Sequence, residues 1–148
     1  MLAGSEIICP HIHLPLQSGD DGVLRRMNRP YSAKSFRHLI LNLANSVLDL
    51  AIGVDVIVGF PGEKEEQFEH TFSLLKEMKF DVVHIAAYSP RPGTIAWQEY
   101  EDDVPSEVKK ERLNKVEALP AVLALNDLLC QENLIIVLTH SFFTSHGP

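Results

Sequence analysis

A chain of 148 residues with 45% apolar and 22% charged residues has the length of one domain and a composition that excludes disorder. A formal net charge of -7 excludes a globally basic nucleic-acid module. Two distant cysteines, Cys9 and Cys130, exclude a disulfide framework or a clustered metal motif and make a reducing, cytoplasmic setting the expectation. The start, Met1-Leu-Ala-Gly-Ser-Glu6, has no basic leader, and no apolar run reaches the ~18 residues of a membrane span.

In chain order, residues 11–16 predict a short strand, with Ile12, Leu14 and Leu16 on one face and His11 and His13 on the other. Pro15 favours a strand end or an edge position. Gln17 to Gly22 is a turn, and Asp20 or Asp21 suits the cap of a short helix over 23–27. Ser32 then caps a longer helix, about 33–47, with a stripe of Phe36, Leu39, Ile40, Leu43 and Val47. A second strand, about 52–58, is apolar on both faces except at Asp55, as expected for a central parallel strand. Helix 64–78 follows, its acidic start and basic end matched to the helix dipole. A third strand covers about 82–88 before Ser89-Pro-Arg-Pro-Gly93 ends it.

This β-α-β-α-β order predicts three parallel strands joined by right-handed crossovers: an α/β fold, a partial (β/α) barrel fragment with flanking helices. Loops 17–22, 59–64 and 89–94 then share the edge where such folds place active sites. Beyond the barrel segment 1–98 come an acidic linker and a polar helix (99–119). The last segment, 120–148, is an apolar tail that reads as a helix and then a strand over 121–138.

The candidate site residues lie on those loops. Gly59 and Gly62 let the backbone approach a ligand with its N–H groups, although a plain tight turn reads the same way. Asp55, a carboxylate in an apolar strand, needs a partner. An arginine from the 25–29 run is one candidate, and positioning a cofactor hydroxyl is another role. Gln17 and Ser18 supply hydrogen-bonding arms, and Arg91 is a guanidinium between two prolines, suited to a carboxylate or phosphate. His11 and His13 offer two arms of a metal site with no local third ligand, so no metal residues are assigned. Cys9 as a lone nucleophile has no base placed by spacing, and no catalytic residue is assigned either.

The ordered motifs His13-Leu-Pro-Leu-Gln-Ser-Gly19, Val23-Leu-Arg-Arg-Met27 with Arg29, Asp55-Val-Ile-Val-Gly-Phe-Pro-Gly-Glu63, Tyr88-Ser-Pro-Arg-Pro-Gly-Thr94, Asp103-Val-Pro105 and Lys109-Lys110 with Arg112-Leu113 resemble the radical S-adenosylmethionine methylthiotransferases. The resemblance covers about residues 9–119 and is to the tRNA 2-methylthio-N6-isopentenyladenosine synthase type, His13 standing where the ribosomal branch tends to carry aspartate. It implies the C-terminal half of a (β/α)6 barrel that binds S-adenosylmethionine and a [4Fe-4S] cluster and modifies C2 of adenosine 37 in the tRNA anticodon loop. It implies cofactor contacts at Gln17, Ser18, Asp55, Val58, Gly59, Gly62, Tyr88 and Ser89. Arg29 and Arg91 would act electrostatically or meet substrate.

The family's C-x3-C-x2-C cluster loop, its cysteine-bearing N-terminal domain and its C-terminal RNA-binding β-domain have no counterpart in this chain. From about Pro120 the sequence departs from the family pattern, as a frameshift or gene fragment would. A fragment inactive alone, with the N-terminal half of the barrel as its missing partner and no membrane partner, is the expectation. A ribosomal protein S12 methylthiotransferase fragment and a non-catalytic adenosyl- or RNA-binding module are the alternatives.

Overall fold

A computed structural model of the chain describes residues 11–119 and the backbone of 122–124. Period-two alternation builds β1 (His11–Gln17), β2 (Ala51–Val58) and β3 (Val82–Ala87), which pair in parallel in sequence order. Three parallel strands with flanking helices, not closed into a barrel, are therefore present as expected. A fourth, β4 (Val122–Ala124), extends the sheet beside β3. The tail reading over 121–138 otherwise lies outside the described residues, as do Cys9 and Cys130. Among the described residues β1 lies at the edge of the sheet, and its register shifts between Leu14 and Gln17, around Pro15. Proline is tolerated there because an edge strand has a free side to which it need not donate.

The helices follow their sequence signals. Asp20 caps α1 (Asp21–Arg26), accepting from the N–H groups of Gly22 and Val23. Ser32 and Ser35 form a reciprocal box at the start of α2 (Ala33–Ser46). α3 (Glu65–Met78) opens on Glu65 and Glu66 and closes with Lys79 at a φ of +47°. A short helix α4 (Ile95–Glu99), capped by Thr94, was not expected from the sequence. α5 is Ser106–Glu117. None of the described helices is long and apolar enough to cross a membrane.

The two sheet faces differ. One carries Ile12, Leu14, Ile52, Val54, Val56, Val58, Val83 and Ile85, which form the core with Phe36, Ile40, Phe68, Leu74, Leu75 and Val116 of the helices. Fully burying a side chain such as Leu16 or Phe68 contributes about 1.5–3 kcal/mol. The opposite face carries His11, His13, Gly53, Asp55, Ile57, His84 and Ala86, aligned by strand register. On β2 only Asp55 interrupts the apolar character of this second face, while the helix-covered face is buried throughout. The α2 stripe is also narrower than its periodicity implies, because Leu39 is 44% exposed while Phe36 and Ile40 are buried.

Candidate functional site

A cavity of about 760 Å³ opens at the C-terminal ends of the strands. Ile57, Ala86 and Ala87 give it apolar surface, Gln17, Arg29, Phe60 and Tyr88 contribute further lining, and Ser89, Arg91 and Thr94–Ala96 border it. Its size suits a nucleoside-sized ligand. Of the residues named from sequence, Gln17, Arg29, Tyr88, Ser89 and Arg91 converge on this cavity.

The β1–α1 loop is held from behind. Gln17 leaves the strand at a φ of +64°, a conformation costing about 1–2 kcal/mol for a residue with a Cβ. Its Oε1 accepts from Arg29 Nη2 at 3.2 Å. Arg29 Nε is buried and has no hydrogen-bond partner among the described residues. Ser18 is fully buried, its hydroxyl bonded to Thr71 at 3.1 Å and to the Asp20 N–H at 3.2 Å. Its polar atoms anchor the loop to α3 and do not line the cavity. Asp20 also accepts from Gln67 Nε2 at 2.7 Å and meets His70 Nδ1 at 2.8 Å. Burial raises the Asp20 pKa, but the bonds from His70, Val23, Gly22 and Gln67 outweigh it, and the carboxyl ends below its ordinary value.

The glycine turn after β2 is already occupied by protein. Gly59 N–H donates to Glu63 Oε2 at 2.6 Å, and Gly62 N–H donates to Asp103 Oδ1 at 2.7 Å. The Lys109 stem lies so close to Gly59 that a Cβ there would stand 2.4 Å from its Cγ. Val58 is fully buried in the core. These N–H groups therefore do not face the cavity, which meets the turn at Phe60. Phe60 packs edge-on to Tyr88 at 5.0 Å between ring centres. Lys109 Nζ donates to the Tyr88 carbonyl at 3.3 Å and to Asp102 at 2.5 Å. Arg112 Nη1 donates to Glu63 at 2.9 Å, and its Nη2 to Glu65 at 3.1 Å. Burial pushes the Glu63 pKa up, against the opposing pull of Gly59 N–H and Arg112. Lys109 and Arg112 were absent from the sequence-based site. The signal for them was two cations at helical spacing opposite the acidic start of α3.

Asp55 does not meet an arginine. Its Oδ1 lies 2.8 Å from His13 Nε2 and 3.4 Å from His84 Nδ1. Register explains the change, since Asp55 stands opposite His84 on β3 and beside the His13–Gly53 pair. Burial raises the Asp55 pKa, but the two imidazoles prevail and lower it. His84 is pushed below its ordinary value by burial and by His13. The arginine run is dispersed. Arg26 donates to the carbonyls of Pro61 and Gly62 and to Gln67, Arg37 pairs with Glu77, and Arg25 is exposed.

A family model for the radical SAM superfamily matches residues 2–75, half of the chain. The tRNA-2-methylthio-N(6)-dimethylallyladenosine synthase of Thermosipho africanus (strain TCF52B) is 45% identical over 112 residues, 76% of this chain and 26% of that protein. The protein of the same name from Geobacillus thermodenitrificans (strain NG80-2) is 40% identical over 136 residues, 92% of this chain and 26% of that protein. The Ehrlichia chaffeensis (strain Arkansas) relative is 44% identical over 112 residues, 76% of this chain and 25% of that protein. The chain thus spans about a quarter of the length of these relatives. On the matched half and these identities, the chain belongs to the radical SAM superfamily and is closely related to its tRNA-2-methylthio-N6-dimethylallyladenosine synthases.

Proposed function

We propose that residues 1–98 are the C-terminal half of the radical barrel of a tRNA (adenosine-37 C2) methylthiotransferase. Residues 99–119 are its linker and polar helix, and 120–148 a divergent tail. The full enzyme acts in the cytoplasm on the tRNA anticodon loop, and this chain contributes one wall of the S-adenosylmethionine pocket. The observation that carries the reading is the cavity at the strand ends, where apolar Ile57 and Ala86 meet the half-satisfied Arg29.

The residues present fit S-adenosylmethionine. Arg29 Nε needs an acceptor, and a ribose or carboxylate oxygen of the cofactor supplies one. Gln17 fixes the guanidinium, Phe60 and Tyr88 form an aromatic corner, and the apolar cavity surface displaces water from an adenine. Tyr88, Ser89 and Arg91 border the opening, while Ser18, Asp55, Val58, Gly59 and Gly62 act through the loops and strand that hold it. When bound, S-adenosylmethionine supplies the radical and the methyl group. A [4Fe-4S] cluster does not fit: it takes cysteine thiolates, and the described residues contain no cysteine.

Calorimetric titration of the chain with S-adenosylmethionine should show saturable binding, weakened about tenfold by Arg29→Met, the worth of one charged hydrogen bond. Anaerobic reconstitution of the chain alone should give no [4Fe-4S] absorbance, and a stoichiometric cofactor-cleaving cluster would refute its incompleteness. The lack of cysteine ligands favours one second reading, an adenosyl- or RNA-binding module without turnover. Absence of heat with both S-adenosylmethionine and a tRNA anticodon stem-loop rejects this second reading.

A further inference from the structure

The inner sheet face holds a second constellation, independent of the cofactor reading. His13 from β1, Asp55 from β2 and His84 from β3 each offer one ligand atom, all within 4.8 Å of one another. All three residues are part-buried, the imidazole side chains 8% and 11% exposed and the carboxylate between them 40% exposed. The rings stand 4.9 Å apart at 32°. We propose that His13, Asp55 and His84 form a binding site for a divalent ion of the zinc class, with at least one coordination position left open.

The donor set carries the choice of ion. Two imidazoles and a carboxylate select borderline transition ions over calcium or magnesium, which prefer all-oxygen shells. With metal–ligand bonds of ~2.1 Å, neighbouring ligand atoms in a tetrahedral shell stand ~3.4 Å apart. The His84–Asp55 separation is already 3.4 Å. The His13–Asp55 bond, at 2.8 Å, must widen, and the imidazoles must rotate toward each other.

Backbone shape supports the site. Gly53 pairs with His13, and a Cβ there would come within 2.6 Å of its Nδ1, so glycine leaves the ring room in its present position. His11, the other arm of the sequence-based pair, is not one of the three ligands, although its Nε2 also overlies Gly53, 3.6 Å from where a Cβ there would stand. Ile57 and Ala86 at the cavity follow Asp55 and His84 by two residues, so the ion lies about 7 Å below it.

Titration of the full chain with Co2+ under reducing conditions tests the proposal. One equivalent should bind with d–d bands of a nitrogen–oxygen shell and no thiolate charge-transfer band, and Zn2+ should displace it. His84→Asn and Asp55→Asn should each weaken binding about 100-fold or more, while His38→Gln, on the exposed face of α2, changes it little. Should the ligand variants fail to fold, 113Cd NMR of the unsubstituted chain reports the donor set directly. Non-saturable uptake, a thiolate band, or unchanged affinity in folded Asp55→Asn overturns the assignment.

Discussion

Gly59 has a φ of +71° and the Lys109 stem against its Cα. Gly59→Ala meets both penalties, left-handed strain and a Cγ at 2.4 Å, and should cost about 2–4 kcal/mol in urea denaturation. In a Lys109→Ala background the same change should cost only the conformational part, about 1–2 kcal/mol. A full cost there would mean that Lys109 does not shape the turn. Asp20 offers a pH test. Its folded pKa is lowered, so its contribution is complete above the unfolded value, near 3.9, and fades as pH falls through the folded value. Asp20→Asn should remove that acid-side component while keeping the cap, since Asn and Asp serve equally well at an N-cap, and Asp20→Ala should cost a further ~1 kcal/mol at neutral pH. An unchanged acid limb in Asp20→Asn would show that the cap is not the group titrating.

The fastening of α5 belongs to the scale of elements. Arg112 and Glu63 are a buried pair, with side chains 5% and 1% exposed. Arg112→Ala should therefore cost about 3–5 kcal/mol, since Glu63 keeps only the Gly59 N–H. Arg112→Met with Glu63→Gln should recover most of that loss, because no buried charge is left. The Arg112→Ala deficit should also shrink at acid pH. Burial already raises the Glu63 pKa, removing the cation raises it further, and a folded state that prefers the protonated acid gains stability as pH falls. A deficit constant with pH in thermal melts would contradict this.

The elements show where sequence reading reaches its limit. Strand faces, the Ser32 cap and the bounds of α3 were legible because period and capping chemistry are local. The partner of Asp55 was not. It depends on which residues of β1 and β3 stand beside it, and register is a tertiary fact. The same holds for the turn at Gly59 and Gly62. Their N–H groups suggested a ligand, but Glu63 lies within reach and Asp103 arrives from a distant loop. α5 read as a polar helix because Lys109 and Arg112 are charged, and only packing revealed these two as buried.

For the whole molecule, the open sheet is the governing property. Among the described residues, β1 has no strand on its outer side and the polar face of the sheet has no covering helix. Sedimentation velocity on the isolated chain should therefore show self-association. A monodisperse monomer with a single cooperative melt would mean that the edge is protected by something other than a partner. Supplying the N-terminal half of the barrel in trans should suppress self-association if that half is the natural complement.

The strands also lie in the order in which they occur in the chain, each parallel to its predecessor. Every crossover joins nearest neighbours, so no strand has to wait for a distant segment before it can dock. Assembly can then proceed stepwise as a polypeptide leaves the ribosome, with one growing edge at a time. Circular permutants that break this succession, leaving the native contacts intact, should fold more slowly while keeping similar equilibrium stability.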